Sequence, residues 1–480
     1  MEKTLPKSRF PKDYKPNPAN LAAGRYGTKE MIDLWGDEKT FEYGLKVQGQ
    51  AALTLSSLYP DIIPKKYAEE IYEKASLKYI DPNRIREIEE ETGHDIIALN
   101  KSLEEKVSKE AGIHINKAKT SADTTQPAKA LQLKKSLEVI INSIENLRDI
   151  LIEKSLEWID IPHMDQTHLY DALPTVAGRP LSHYAEMLQS NLKFMKFVYE
   201  NSVIGKWADA TGNHHSATAL EIDGLMLQKE YCKNLGINFM DAPAQVPGLE
   251  FEADITYAMA RTGETLNNIA RYLEQGRGDD RNIFVNANPR RKKGSSAMPH
   301  KDSKNGNPTA EEQTMSIGNY LRGLNVTGLS NCQMYYGRDL SASSNMRLNF
   351  EDGFKFLDHG IRRIANISYW IKLNEDVSKE RVLRSFGCPT AQQVMTYLTD
   401  QRRTKNPMIR SEAHNLTAKL AKEAWDKKIP FVEVVLESEE VTNRLDAETI
   451  IKITNPLEYV GESKKIVEII AKKYHRTKTL

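Results

Sequence analysis

Between Leu133 and Leu151 an apolar residue returns at alternating steps of four and three: Leu133, Leu137, Ile140, Ile144, Leu147 and Leu151. This spacing keeps all of them on one face of an α-helix and is the seam by which a long helix packs along near-parallel neighbours. Further long helical patterns run over 180–203, 216–235, 252–275 and 309–329, whereas the alternation of a half-buried strand is scarce. The expected fold class is all-α, with a central bundle of long helices.

The remaining chain frames that bundle. Residues 1–24, rich in proline and lysine, favour an extended arm. Over 25–119 the periodicity is helical, and Asp81 and Pro82 stand as N-cap and first-turn residue ahead of Ile85 and Ile88. Thr92-Gly93 breaks the pattern, and Ile96, Leu99, Leu103 and Val107 resume it, which places His94 at a helix start within reach of a ligand. Two interruptions, 276–304 and 334–345, read as loops between helices. A more charged region begins after Leu373 and ends in a basic tail, so the expected division is 25–119, a bundle over 120–372, and a smaller helical domain over 373–480.

Charge excludes some functions. Lys and Arg total 67 against 66 Asp and Glu, a net charge of +1, which makes no case for a nucleic-acid coat or a membrane-surface protein. Cys232, Cys332 and Cys388 stand far apart without a CxxC pairing, which suits a reducing compartment and indicates neither a disulfide framework nor a thiolate metal knuckle. The first residues lack the apolar stretch of a signal peptide and no run of apolar residues is long enough to span a bilayer, so the expected location is cytoplasmic.

The most unusual segment is Arg290-Arg-Lys-Lys-Gly-Ser-Ser-Ala-Met-Pro-His-Lys301, followed by Asp-Ser-Lys-Asn-Gly-Asn-Pro308. Basic groups flank a Gly-Ser-Ser turn able to offer backbone N–H groups, hydroxyls and ammonium groups to an anion. It lacks the glycine spacing of a phosphate-binding P-loop and the GxSxG of a nucleophile elbow, and a solvated basic linker has the same composition. Among the histidines, His94, His163, His168 and the His214-His215 pair form no HExxH or comparable zinc spacing, and no metal is expected. His168, shortly before Pro174, reads as lying at a chain bend near a helix end; the pair after Gly212-Asn213 reads as an exposed turn.

Gly294-Ser-Ser-Ala-Met-Pro-His-Lys301 resembles the GSSxMPxKxNP signature of the fumarase/aspartase superfamily, and its AMPHK form is most similar to the adenylosuccinate lyase family. Other segments resemble the same family: Arg25-Tyr26 with Glu30-Met31 and Trp35, Gly93-His94-Asp95, Lys119-Thr-Ser-Ala-Asp123, Thr167-His168 with Pro174-Thr175 and Gly178, Arg338-Asp-Leu-Ser-Ala-Ser-Ser344 with Arg347, and in the last domain Pro430-Phe431 and Arg444-Leu445. The resemblance implies a homotetramer whose central helices form one bundle, with active sites shared between subunits. It also implies reversible elimination of fumarate from a succinyl-amino purine nucleotide without a cofactor, yielding AMP from adenylosuccinate, with the earlier succinyl-carboxamide nucleotide (SAICAR) as a second substrate of the family.

Carried over residue by residue, the resemblance makes Ser295 the base that forms the carbanion, His168 the acid at the leaving nitrogen, Glu312 the partner that orients His168, and His94 a substrate-orienting group. Thr120, Ser121, Lys301 and Asn307 would hold the succinyl carboxylates, Gln245 would bind substrate, and Arg25, Tyr26, Arg338, Ser343 and Arg347 would reach the nucleotide phosphate. The chemistry suits these types: an aci-carboxylate dianion demands cations and N–H donors, and expulsion of an amine demands a proton donor near neutrality.

The match departs from the family pattern in three places. Five residues separate Lys301 from Asn307, where one is usual, so either Lys301 keeps its place and the insertion bulges outward or Lys304 replaces it. Gln166 and Leu169 stand where arginine and glycine are usual, and the basic residues common after Gln245 are missing. A paralogous lyase for another succinyl-amine, a cycloisomerase of the superfamily and a non-catalytic helical scaffold are the alternatives.

Overall fold

The structure, a computed structural model, describes residues 25–289, 295–303, 306–335 and 337–476. The expected N-terminal arm, 290–294 and Lys304 of the basic loop, and the end of the basic tail lie outside the described residues.

Helices dominate, as the fold class required. The stripe from Leu133 to Leu151 lies on the Ala122–Glu157 helix, and all six of its members are buried. Other long helices are Arg179–Asn201, Glu250–Arg277, Thr309–Ser330 and Ser343–Trp370. One expected helix is two: His215–Ala219 and Gly224–Leu235 are separate, because Asp223 caps the second through the Met226 N–H at 3.0 Å and so starts a new helix. Strand is confined, among the described residues, to three two-stranded sheets.

The chain forms two compact units. The first takes the described residues of 1–145, 190–268 and 313–363. In its core the Trp35 ring stacks on Phe354 with centroids 5.7 Å apart while the indole N–H donates to Ser136 Oγ at 3.0 Å. Buried Asp358 gathers the hydroxyls of Thr28 (2.5 Å) and Ser143 (2.7 Å) and the Arg362 guanidinium (2.9 Å), joining three segments distant in sequence. Pro127 inside the long helix has no N–H to give the Asp123 carbonyl four residues back; the Tyr231 hydroxyl, 3.4 Å away, donates to that carbonyl instead.

The second unit takes 146–189, 269–312 and the described residues of 364–480. Trp158 stacks on Phe284 at 5.7 Å. Gly178 follows a strand so close to the Ser155 carbonyl that a Cβ would lie 2.0 Å from its oxygen, which only glycine permits. Residues 394–453 contribute a tight apolar cluster that includes Val394, Leu398, Phe431, Val435 and Ile450.

The unit's hairpin differs from the expected bend at a helix end. Strands Pro162–Thr167 and Tyr170–Val176 pair antiparallel, with an irregularity at Asp165 and Thr167 opposite Tyr170, which leaves His168 and Leu169 as a two-residue turn. Both take positive φ, 53° and 67°, as a tight hairpin turn with right-handed twist demands. The strands escaped notice because bulge and turn interrupt any regular alternation.

Candidate active site

His94 stands where its sequence placed it. Gly93, at φ 64°, closes the Pro82–Thr92 helix in the left-handed region, and His94 becomes the N-cap of the Asp95–Glu104 helix. Its Nδ1 lies 3.2 Å from the Ile96 nitrogen and 3.2 Å from Asp95 Oδ1, and its Nε2 stands 3.5 Å from Ser121 Oγ. Thr120 and Ser121 form the turn that opens the Ala122–Glu157 helix.

That turn is fixed from beneath. The Asp123 carboxylate accepts the Thr120 N–H (2.9 Å), the Ala208 N–H (2.9 Å), the Asp209 N–H (3.1 Å) and the Lys206 ammonium (2.5 Å), with both members of the ion pair fully buried. Burial lowers the Lys206 ammonium from its ordinary value and Asp123 opposes the shift. Beside it Lys119 Nζ donates to Gln48 Oε1 at 3.0 Å; loss of hydration brings this ammonium down to about 7, with Asp123 opposing and Lys206 adding to the shift. Sequence reasoning missed Lys206. The available signal was a lone cation inside Ser202-Val-Ile-Gly-Lys-Trp-Ala208, which a folded chain tolerates only with a buried partner.

The first unit also brings together the residues expected at a phosphate. Arg338 Nη1 donates to Gln245 Oε1 at 3.1 Å. Ser343 opens the Ser343–Trp370 helix and Arg347 follows one turn later on the same face. Arg338, Ser343 and Arg347 line one cavity of about 370 Å³, whose wall continues through Asp95, next to His94, and the apolar faces of Trp35, Leu99, Met346 and Phe350. Arginine forks, a hydroxyl and an aromatic wall suit an anion attached to a flat body. Arg25 and Tyr26 do not line this cavity: Arg25 is exposed, and the Tyr26 ring packs edge-on against His359 at 5.6 Å.

In the second unit the Ser295 hydroxyl oxygen accepts the N–H groups of Ala297 (3.3 Å) and Met298 (3.0 Å). Two donors aimed at one oxygen favour whichever of its forms carries more negative charge. Lys301 Nζ donates to Asn307 Oδ1 at 3.0 Å, and the Gly306 N–H closes back onto the Lys301 carbonyl at 3.0 Å, so the ends of the lengthened loop meet and Lys301 stands beside Asn307. Glu312 is exposed on the first turn of the Thr309–Ser330 helix, while its neighbour Glu311 is buried against Arg277. His168 is exposed at the hairpin turn and lines a separate cavity of about 800 Å³ within this unit. Of the histidine pair expected to be exposed, His214 is buried instead; in the left-handed conformation at φ 57° its ring lies against Gly224, where even a Cβ would come within 2.5 Å.

Comparison with known proteins settles the ancestry of this arrangement. The sequence profile of the family described as Lyase matches residues 24–323, more than half of the chain. The chain belongs to this lyase family, within the fumarase/aspartase superfamily. A second profile, the adenylosuccinate lyase C-terminus, matches residues 387–470 of the lyase. Similar curated relatives include the adenylosuccinate lyase of Methanocaldococcus jannaschii, 29% identical over 93% of this chain and 94% of its own length. That of Bacillus subtilis is 29% identical over 89% of this chain and 94% of its own. Among solved structures, a fumarate lyase from Mesorhizobium sp. BNC1 has a TM-score of 0.79 at 19% identity over 93% of this chain and 98% of its own. The 3-carboxy-cis,cis-muconate lactonizing enzyme of Pseudomonas putida has 0.81 at 17% over 95% and 99%. These two likenesses establish the fold. Among the described residues no helix is long and apolar enough to cross a membrane.

Proposed function

We propose that this lyase eliminates fumarate from adenylosuccinate to give AMP, with the succinyl-carboxamide nucleotide SAICAR as a second substrate. The observation that carries the choice of a nucleotide is the wall on which Arg338, held by Gln245, stands with Ser343 and Arg347 over an aromatic cavity. The names of its curated relatives agree with that choice.

In this reading Ser295 Oγ, its negative charge sustained by the Ala297 and Met298 N–H groups, removes a proton from the succinyl carbon next to a carboxylate. Lys301 and Asn307 hold that carboxylate as it takes up the charge, with Thr120 and Ser121 binding the other. The electron pair then forms the carbon–carbon double bond of fumarate as the carbon–nitrogen bond breaks, and His168 gives its proton to the departing purine nitrogen. Glu312 orients His168 and His94 orients the substrate. Each copy of the chain brings His168 on an exposed turn and Glu312 on an exposed helix face, which suits a homotetramer with shared sites. The division into 25–119, 120–372 and 373–480 belongs to the same proposal.

The deciding experiment is incubation of chelator-treated protein with adenylosuccinate, following the purine absorbance and identifying both products. Release of fumarate and AMP is expected. A folded protein that releases neither would remove adenylosuccinate as substrate and turn the search to other succinyl-amines.

A further inference from the structure

Gln126 stands on the Ala122–Glu157 helix, one turn beyond Ala122, and on the wall of the cavity that holds Arg338, Ser343 and Arg347. It is 8% exposed, yet its side-chain amide makes no hydrogen bond among the described residues. Neither its amide oxygen nor its amide nitrogen is sealed in protein, so both are free to meet whatever fills the cavity. Polar neighbours on the same wall are already engaged. Gln132 Nε2 donates to the Leu34 carbonyl at 2.8 Å, Thr124 Oγ1 accepts from Gln48 at 3.1 Å, Lys129 pairs with Glu252, and Asp339 accepts the Ser341 N–H at 2.8 Å. A largely buried amide without a partner is a cost to folding that a ligand can recover.

An amide sets an acceptor oxygen beside donor N–H groups, so its complement is a ligand edge with one donor next to one acceptor. An amino-substituted purine has such an edge in its N6–H and N7, which a glutamine amide can span with two parallel hydrogen bonds. A hydrogen in place of the amino group removes the donor, and a carbon in place of N7 removes the acceptor. Either change leaves one end of the amide unpaired in a site closed to most water, which is how a polar site rejects a near-isostere.

We propose that Gln126 is the residue that reads the base of the nucleotide: its Oε1 accepts the N6–H and its Nε2 donates to N7. This rests on the nucleotide reading given above and adds to it the group that selects among nucleotides. In adenylosuccinate the succinyl group replaces one hydrogen of N6, and the hydrogen that remains is the one Gln126 holds. The succinyl arm is thereby directed to the opposite side of N6. SAICAR offers the same pair, its carboxamide N–H beside a nitrogen of the imidazole ring, so one amide serves both substrates.

The test is calorimetric titration of the full chain with AMP, with purine riboside monophosphate, which lacks the amino group, and with 7-deaza-AMP, which lacks N7. AMP is expected to bind about tenfold more tightly than either, the worth of one hydrogen bond in a site largely closed to water. Gln126→Leu should bring the three ligands to one affinity. Gln126→Glu keeps an acceptor and loses the donor, so it should retain the preference over purine riboside monophosphate and lose the preference over 7-deaza-AMP. A merely structural role would weaken all three ligands alike in both variants, and that result overturns the proposal. Equal affinity of the three for the unaltered protein overturns it without any variant. Fumarate release from adenylosuccinate is read separately: release together with equal affinities removes the role of Gln126 alone, whereas the expected preferences without release remove the reaction and keep Gln126. Absence of AMP binding at millimolar concentration removes both.

Discussion

A serine hydroxyl is a poor base unless its oxyanion is sustained, and the Ala297 and Met298 N–H groups are two donors placed on the Ser295 oxygen to sustain it. Ser295→Ala should therefore lower kcat by about 100-fold or more while leaving the dissociation constant for AMP nearly unchanged; parallel loss of both would make Ser295 a binding group. His163 supports a prediction about acid. Burial holds its folded value at about 4, below the ordinary 6.5, so the unfolded chain takes up the proton first. The stability is present above pH 6.5 and is lost as the pH falls towards 4, by about 3 kcal/mol in all. Urea midpoints measured across that range should fall less steeply for His163→Gln than for the unaltered protein; identical slopes would contradict the assignment. At this scale the sequence was legible where the chemistry is local. His94 announced itself through a glycine stop and a resumed apolar pattern. The Asp123–Lys206 pair, joined across the fold, left no local trace beyond one misplaced cation.

Among elements, long helices were readable because burial repeats every turn: the expected 309–329 became Thr309–Ser330. The hairpin was not readable, because its geometry is set by a turn whose two residues, His168 and Leu169, are poor formers of the conformation they hold. A leucine with positive φ and 80% exposure has strain and little packing to offset it. Leu169→Gly should stabilise the protein by roughly 1 kcal/mol, seen as a higher denaturant midpoint. A lower midpoint would mean that the leucine side chain, exposed in the single chain, is packed in the assembled protein. The resemblance had marked the same position as one where glycine is usual, and φ supplies the physical reason.

For the whole molecule, fold and family were legible because the motifs are spread from Arg25 to Leu445 and the profiles matched cover 24–323 and 387–470. Assembly was not, since nothing local in a helix says which copy covers its exposed face. If the tetramer with shared sites is right, mixing His168→Ala and Ser295→Ala chains after gentle dissociation should restore activity that neither has alone. Mixtures no more active than their parents would confine each site to one copy.

The buried carboxylate of Asp123 also has an evolutionary consequence. Its four donors leave it no spare position, and an asparagine there would turn an amide N–H towards other N–H groups. Removing either charge alone strands the other, at a cost of about 3–5 kcal/mol, as Lys206→Met should show in a denaturant titration. Lineages descending from this chain can therefore lose the pair only by changing both positions nearly at once, and positions 123 and 206 should drift together or not at all.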